Sequence, residues 1–469
     1  MTAVLCACYD RLVMVQPTAK PNVVVCLCDQ LRAFEVGCYG NAVIRTPNID
    51  RLAREGVRFE VACSNHPVCT PGRSILLTGQ YSRTCQGTLV NCGEPVAERV
   101  QLPDVTLAEA LKSEGYDTAL IGKWHIAPEP AVVGFDHAVY PHHQHRYTGQ
   151  TFHRSYGEDV VIDGFTVDYE IEELEKYIRS HRDRPFFLFH SISQPHMPVD
   201  DVPERIKTMY SRDEVPLRPN VFEDGRMAHD ENWFRIYLYD YLYYEKHLPY
   251  TQTPLEDFDL RDLTARYYGN TTWADEQVGA LVGILEENGI LENTVIVFTS
   301  DHGDNLGSHQ LFNKDQLYEE SIRIPMIFHW PAGLRRRKVS WQVASLVDVM
   351  PTVLALVGVR TAGTCQGTDL SQVVRGEADV VGANCAFIET SPGLIGIRTL
   401  THLYGAQKER TPDRRTTRVI DDEFMFFHIP TDQYQCDNLA KTHKRREAAA
   451  LLRDRLLRWD LETPWMRGG

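Results

Sequence analysis

Four short apolar runs in this chain are each followed, within a few residues, by side chains that can hold a cation or move a proton. Asn22–Cys28 leads into Asp29 and Gln30, and Asp117–Ile121 into Lys123 and His125. Arg184–His190 leads into His196, and Thr294–Thr299 into Asp301 and His302. Continuous runs of β-branched and aromatic residues are the pattern of strands buried on both faces of a parallel sheet. Between them lie helical patterns at Thr46–Gly56, Val105–Gly115 and Leu260–Asn288. Strands alternating with helices predict an α/β fold: a large, mostly parallel sheet flanked by helices. Ligands of such sheets gather beyond the carboxyl ends of the strands. Residues hundreds of positions apart are therefore expected at one place.

Charge narrows the function classes. The 49 basic and 64 acidic residues give a net charge of −15, which argues against a nucleic-acid or anionic-membrane partner. An anionic small substrate stays open, because a local cluster of Arg, Lys and metal overrides the global field. No stretch reaches the roughly 20 apolar residues of a membrane helix. At the N-terminus no early basic region precedes the apolar run, and Asp10-Arg11 interrupts it, so a signal peptide is not expected. Residues 1–20 read as an N-terminal extension, with Met14 a conceivable start. Twelve cysteines without a framework spacing suggest reduced thiols and a cytoplasmic protein. The pairs Cys6/Cys8 and Cys26/Cys28 are too close for ordinary metal-finger or redox spacing.

Two stretches break the strand–helix rhythm. Residues 136–160 are rich in His, Tyr and Gly, and include Tyr140-Pro141-His142-His143-Gln144-His145. Residues 200–258 are rich in Tyr, Pro and acidic side chains, most densely from Trp233 to Tyr250. Long insertions on an α/β scaffold are expected to shape a binding site. The histidine tract reads as a solvated loop, with metal binding as the alternative. After about Gly382 the pattern changes to short strands, at Cys385–Glu389, Ile395–Leu400 and Phe424–Ile429. An amphipathic helix follows, from Lys441 to about Trp459. The expected organisation is a catalytic domain over 21–382 and a small antiparallel-sheet and helix (α+β) domain over 383–469.

Cys69-Thr70-Pro71-Gly72-Arg73 carries the most specific chemistry. Thr70 is a plausible N-cap, Pro71 suits the first helical position, and Gly79 can close the helix. Cys69 would then stand at a helix N-terminus, which favours an anion, with the donor fork of Arg73 one turn away. The alternative is that Cys69 is a small buried hydrophobe. Asp29, Asp301 and His302 make a reasonable divalent-cation set, two hard oxygens and an imidazole. Lys123 and His125, at alternate positions, would project from one side of an extended segment.

The pentad resembles the sulfatase signature C-x-P-x-R. Gly115-Tyr116-Asp117-Thr118 with Gly122-Lys123-Trp124-His125 resembles that family's second signature, G-Y-x-T-x-x-x-G-K-x-H. Thr46–Gly56, Gln194–Pro198, Thr299–Asp304, Asp275–Gly279 and Phe427–Ala440 match further segments in the expected order, over about residues 21–460. The chain thus resembles a type I, formylglycine-dependent sulfatase of the alkaline-phosphatase superfamily. Cys28-Asp29-Gln30, where many members have two adjacent aspartates, places it near the Asp-Gln and Asp-His branch. That branch includes choline-sulfatase-like enzymes and phosphonate monoester hydrolases. Gly72 is a second departure, since Ser or Ala is commoner there.

What the resemblance implies is specific. A maturation enzyme oxidises Cys69 to formylglycine (3-oxoalanine). Asp29, Gln30, Asp301 and His302 hold one divalent cation with the modified Cys69, Ca²⁺ on family grounds, with Mn²⁺ open. A hydroxyl of the hydrated aldehyde attacks sulfur while Arg73, Lys123 and the cation stabilise the sulfuryl oxygens. His196 and Lys314 assist the leaving oxygen, and His125 deprotonates the second hydroxyl so that sulfate is expelled. Asn91 is a candidate substrate contact, and His309 is expected to be structural. The implied function is hydrolysis of a sulfate ester, on a carbohydrate or another small organic molecule. Phosphonate monoester or phosphodiester hydrolysis at the same site is the alternative, and a non-catalytic binding homologue is a third reading.

Overall fold

The computed structural model describes residues 20–142, 146–221, 259–334, 338–412 and 415–466. Residues 1–19 of the expected extension, His143 to His145, and 222–258 with the aromatic stretch Trp233 to Tyr250 lie outside the described residues. The main sheet runs from β1 (Asn22–Asp29) through β2 (Val57–Cys63), β3 (Asp117–Gly122), β4 (His137–Tyr140), β5 (Thr151–Arg154) and β6 (Val160–Val161). It continues with β7 (Phe186–Pro195), β8 (Thr294–Ser300), β9 (Arg323–Ile324), β10 (Met326–His329) and β11 (Lys338–Ser345). Their spatial order is β11-β2-β10-β8-β1-β7-β3-β4-β5-β6, with β9 on β2. The centre, β8-β1-β7-β3-β4, is parallel throughout. Strand β10 is antiparallel to both β8 and β2, so β2 points the same way as the central strands.

Alternation along β1 builds the layers. Val23, Val25 and Leu27 enter one core cluster, and Val24, Cys26 and Cys28 the other. The first face receives α2 (Cys69–Thr78), α3 (Leu107–Ser113) and α6 (Val349–Leu356). The second receives α1 (Pro47–Glu55), α4 (Thr166–His181) and the long α5 (Leu260–Glu287). Each fully buried Val, Leu or Ile contributes about 1.5–3 kcal/mol, so burial on two faces commits β1 to the centre of the sheet.

His190 is the exception on β7. Leu188 and Ile192, two positions to either side, belong to the second core, and neither ring nitrogen of His190 has a hydrogen-bond partner among the described residues. Burial alone pushes its pKa down to about 3. Between pH 6.5 and 3, an unfolded chain protonates this ring and the folded one does not. Its linkage term is therefore fully present above 6.5 and lost as pH falls, by about 1.4 kcal/mol per unit. Denaturant titrations of His190→Leu should show a shallower acid loss across that window. Identical slopes for parent and variant would refute the assignment.

A second sheet follows in the chain: β12 (Ala386–Glu389), β13 (Leu394–Arg398), β14 (His402–Arg410) and β15 (Thr416–His428), all antiparallel neighbours. Strand β14 and the first half of β15 were not anticipated. The final helix, α7 (Arg446–Glu462), starts later than Lys441. Trp459 of α7 stacks on Phe387 and meets Tyr81 edge-on. Buried Arg83 reaches Glu389 at 2.7 Å and Asp460 at 2.8 Å. These contacts fasten the small sheet and α7 to the segment just beyond α2.

Candidate active site

Helix α2 begins at Cys69 itself. Val68 is the residue before the helix and offers no side-chain cap, so Thr70 is not the N-cap expected from the sequence and Pro71 lies in the third helical position. The reason is tertiary. Asn91 Oδ1 accepts from Thr70 N at 3.0 Å, so a side chain from another loop satisfies a free N–H of the first turn. The Thr70 hydroxyl instead donates to the His125 carbonyl at 2.8 Å. Asn91, the candidate substrate contact, is thereby fixed to the first turn of α2. Gly79 closes α2 in the left-handed conformation, φ 62°, as expected.

The strand ends converge on Cys69 as the parallel sheet requires. Arg73 is fully buried and donates through Nη2 to Asp29 Oδ2 and through Nε to Asp301 Oδ2, both at 3.0 Å. Its Nη1 is held by Ser191 Oγ and the Lys123 carbonyl. Each carboxylate therefore spends Oδ2 on Arg73. The other oxygens, Oδ1, lie 3.6 and 3.4 Å from His302 Nε2. His302 Nδ1 sits 2.9 Å from the Gly303 carbonyl. A carbonyl only accepts, so Nδ1 donates to it and Nε2 is the nitrogen turned towards Cys69 Sγ, at 3.3 Å. Burial acts to lower the pKa of this ring, but Asp301 and Cys69 hold it above its usual value.

Lys123 donates to Asp29 Oδ2, and its Nζ lies 3.9 Å from Cys69 Sγ. Lys314 is closer to the sulfur, at 3.1 Å, and also reaches Gln30 Oε1 at 3.0 Å and His196 Nε2 at 3.3 Å. His125 hydrogen-bonds to Cys69. Its backbone is left-handed, φ 54°, so the local segment is not extended, although both side chains still meet Cys69. His309 stacks on Tyr318 at 3.7 Å and lies 3.0 Å from Asn220. The rings of His142 and His153 lie 4.1 Å apart, tilted by 32°, and the His142 carbonyl accepts from the His125 N–H at 3.1 Å.

Electrostatics follow from the charges. Burial and Cys69 act to raise the pKa of Asp29, but Lys123, His196 and Arg73 outweigh them and hold it well below the usual range. Burial and the charge of Asp29 push Asp301 up to about 6. Burial acts to raise the Cys69 thiol, yet Lys123, Lys314 and His302 overcome it and pull the pKa far down. Burial holds His125 at about 4, and burial first, then Lys314 and Lys123, lowers His196 against Asp29. Both imidazoles are thus neutral near pH 7.

Asp29, Cys69, Asp301 and His302 place ligand atoms within 4.8 Å of one another, all buried. Two crowded carboxylates, a thiol and an imidazole with Nε2 turned inward fit a divalent cation. Arg73, Lys123 and Lys314 balance Asp29, Asp301 and Asp304, so a dication would leave the centre net positive for an anionic substrate.

Gly72 explains its own departure from Ser or Ala. A Cβ there would lie 2.7 Å from the Asp301 carbonyl oxygen. Overpacking of about 1–3 kcal/mol exceeds the ~0.8 kcal/mol gain in helix propensity, so Gly72→Ala should lower the Tm. A rise in Tm would show that α2 has room to spare.

The sulfatase family model matches residues 21–359, most of the chain and all the strand ends around Cys69. The chain belongs to the sulfatase family. It is 30% identical over 455 residues to the ulvan-active sulfatase of Formosa agariphila, covering 93% of this chain and 80% of that one. The N-acetylglucosamine-6-O-sulfatase of Bacteroides thetaiotaomicron is 27% identical, over 77% of this chain and 72% of its own. Among solved structures, the Bacteroides fragilis protein yidJ, assigned as a sulfatase, superposes with a TM-score of 0.76 at 26% identity. That match covers 95% and 96% of the two chains. Sulfatases are sulfuric ester hydrolases, and in this family the working residue is a formylglycine made from the signature cysteine. Ser64 and Ser191 were missed by sequence reading. Ser64 donates to the Asp301 carbonyl at 2.6 Å, but no serine pattern in the chain signals either contact.

Proposed function

We propose that this sulfatase hydrolyses the sulfate ester of a saccharide, using Cys69 matured to formylglycine and a Ca²⁺ held by Asp29, Gln30, Asp301, His302 and residue 69. The observation that carries this reading is the convergence of Lys123, Lys314, His125 and His302 on one atom, Cys69 Sγ, with Arg73 bridging the two carboxylates beside it. Saccharide is favoured because the Formosa and Bacteroides relatives are named for ulvan and N-acetylglucosamine sulfate. Held by Asp29, Asp301, His302 and residue 69, a cation would add charge against the sulfuryl oxygens and acidify a hydroxyl of residue 69.

The chain's own residues do the rest. Arg73 fixes both carboxylates, and Lys123 and Lys314 face the sulfuryl group as hydrogen-bond donors. His196 keeps its proton on Nδ1, towards the Met197 carbonyl 2.8 Å away. Its Nε2, beside Lys314, is placed to relay a proton from the ammonium to the departing alcohol oxygen. His125, neutral at pH 7, is the base that takes a proton from residue 69 so that sulfate can leave.

A panel of sulfated mono- and oligosaccharides, scored by released sulfate, tests the reading beside an aryl phosphonate monoester. The expected result is a kcat/KM for at least one sulfated sugar above that for the phosphonate. A preference for the phosphonate by orders of magnitude would assign the site to phosphonate esters instead.

A further inference from the structure

Gln30 stands where a carboxylate would add charge to the site, and its surroundings show how an amide can serve there. Its backbone is left-handed, φ 66°, pinned by Asp301 Oδ1 on its N–H and by the Tyr267 hydroxyl on its carbonyl. Such a conformation in a residue other than glycine persists only where the surroundings enforce it. The side chain lies between opposite charges. Asp304 Oδ2 lies 2.5 Å from one amide atom and Lys314 Nζ 3.0 Å from the other. A carboxylate only accepts and an ammonium only donates, so one orientation satisfies both: the NH₂ towards Asp304 and the oxygen towards Lys314. Asp304 is itself locked, fully buried with Oδ1 on the Leu306 N–H at 2.8 Å.

We propose that Asp304 is a positioning residue that turns the oxygen of Gln30 into the cation site and makes a neutral amide the side chain that fits there. This deepens the metal reading above and rests on it. With Asp304 in place, a glutamate at position 30 would set two carboxylates against each other where a donor and an acceptor now meet. Asp304 therefore acts through its acceptor oxygen, which takes the amide NH₂ and so orients the ligand. Residues that orient metal ligands commonly govern affinity by about 10- to 100-fold.

The test is calorimetric affinity for Ca²⁺ and Mn²⁺ on the mature, metal-stripped protein, with the Tm of the metal-free form as a folding control. Asp304→Ala should weaken binding at least tenfold, whereas Asp304→Asn, which retains an acceptor oxygen, should stay within a few-fold of the parent. Gln30→Glu should bind no tighter than the parent, and adding Asp304→Asn to it should restore at least tenfold. If Asp304→Ala does not fold, the Gln30→Glu pair decides. Affinity unchanged in Asp304→Ala, or tighter in Gln30→Glu with Asp304 intact, overturns the proposal. Because binding is read without substrate, a failure to release sulfate would sink the substrate reading alone. A parent that binds neither ion would sink the metal reading and this inference together.

Discussion

Cys69→Ala is expected to abolish sulfate release while leaving the fold intact. Cys69 is buried, and its sulfur is the common neighbour of His302, Lys314, Lys123 and His125. Removing a nucleophile that works with its partners as a unit costs on the order of 10⁶ in kcat. Alanine fits the first turn of α2, and the Asn91 cap on Thr70 is untouched, so the Tm should stay close to the parent's. Intact mass supplies the companion measurement. Maturation of the parent replaces the thiol by an aldehyde and lowers the mass by about 18 Da, the difference between sulfur with two hydrogens and oxygen. Parent protein with full activity and an unmodified cysteine would refute the formylglycine assignment. So would an alanine variant with substantial turnover.

Arg73→Met should remove both stability and activity. The guanidinium is fully buried between Asp29 and Asp301, and it is tied to Ser191 and to the Lys123 carbonyl. Without it, two buried carboxylates lose their shared counter-ion. Breaking a buried pair in this way costs about 3–5 kcal/mol. Lys123 still neutralises Asp29, so the larger penalty falls on Asp301, already pushed up to about 6 by burial and by Asp29. The variant should therefore be least stable in the neutral range, where Asp301 must ionise, and should recover in part as pH falls towards 6 and that carboxyl takes up a proton. Thermal melts between pH 5.5 and 8 would read this, and the mass at residue 69 would separate failed maturation from failed catalysis. A variant as stable as the parent at pH 8 would remove Arg73 from its bridging role.

Much of this was readable without coordinates, for identifiable reasons. The central strands β1, β3, β7 and β8 announced themselves as short apolar runs, because burial on both faces leaves few polar positions. Strand β2 did not: Val57, Phe59 and Val61 alternate with half-buried Arg58 and Glu60, the pattern of a sheet covered less completely on one side. Strand β14 and the first half of β15 were hidden in the same way by polar residues on the outer face. Thr70 looked like a helix cap because caps are judged from neighbouring residues. The true cap, Asn91, lies in another loop and is invisible to local reading.

The sequence by itself determined the α/β class, the parallel centre and most of the set around Cys69, but not Ser64 or Ser191. Covalent spacing and burial patterns carry that information along the chain. Only the tertiary structure decided how those side chains divide their bonds: that Arg73 takes Oδ2 from both aspartates, that His302 turns Nε2 inward, and that Asp304 fixes the face of Gln30. Hydrogen-bond direction depends on which donor meets which acceptor across the fold, and a linear sequence does not record those meetings.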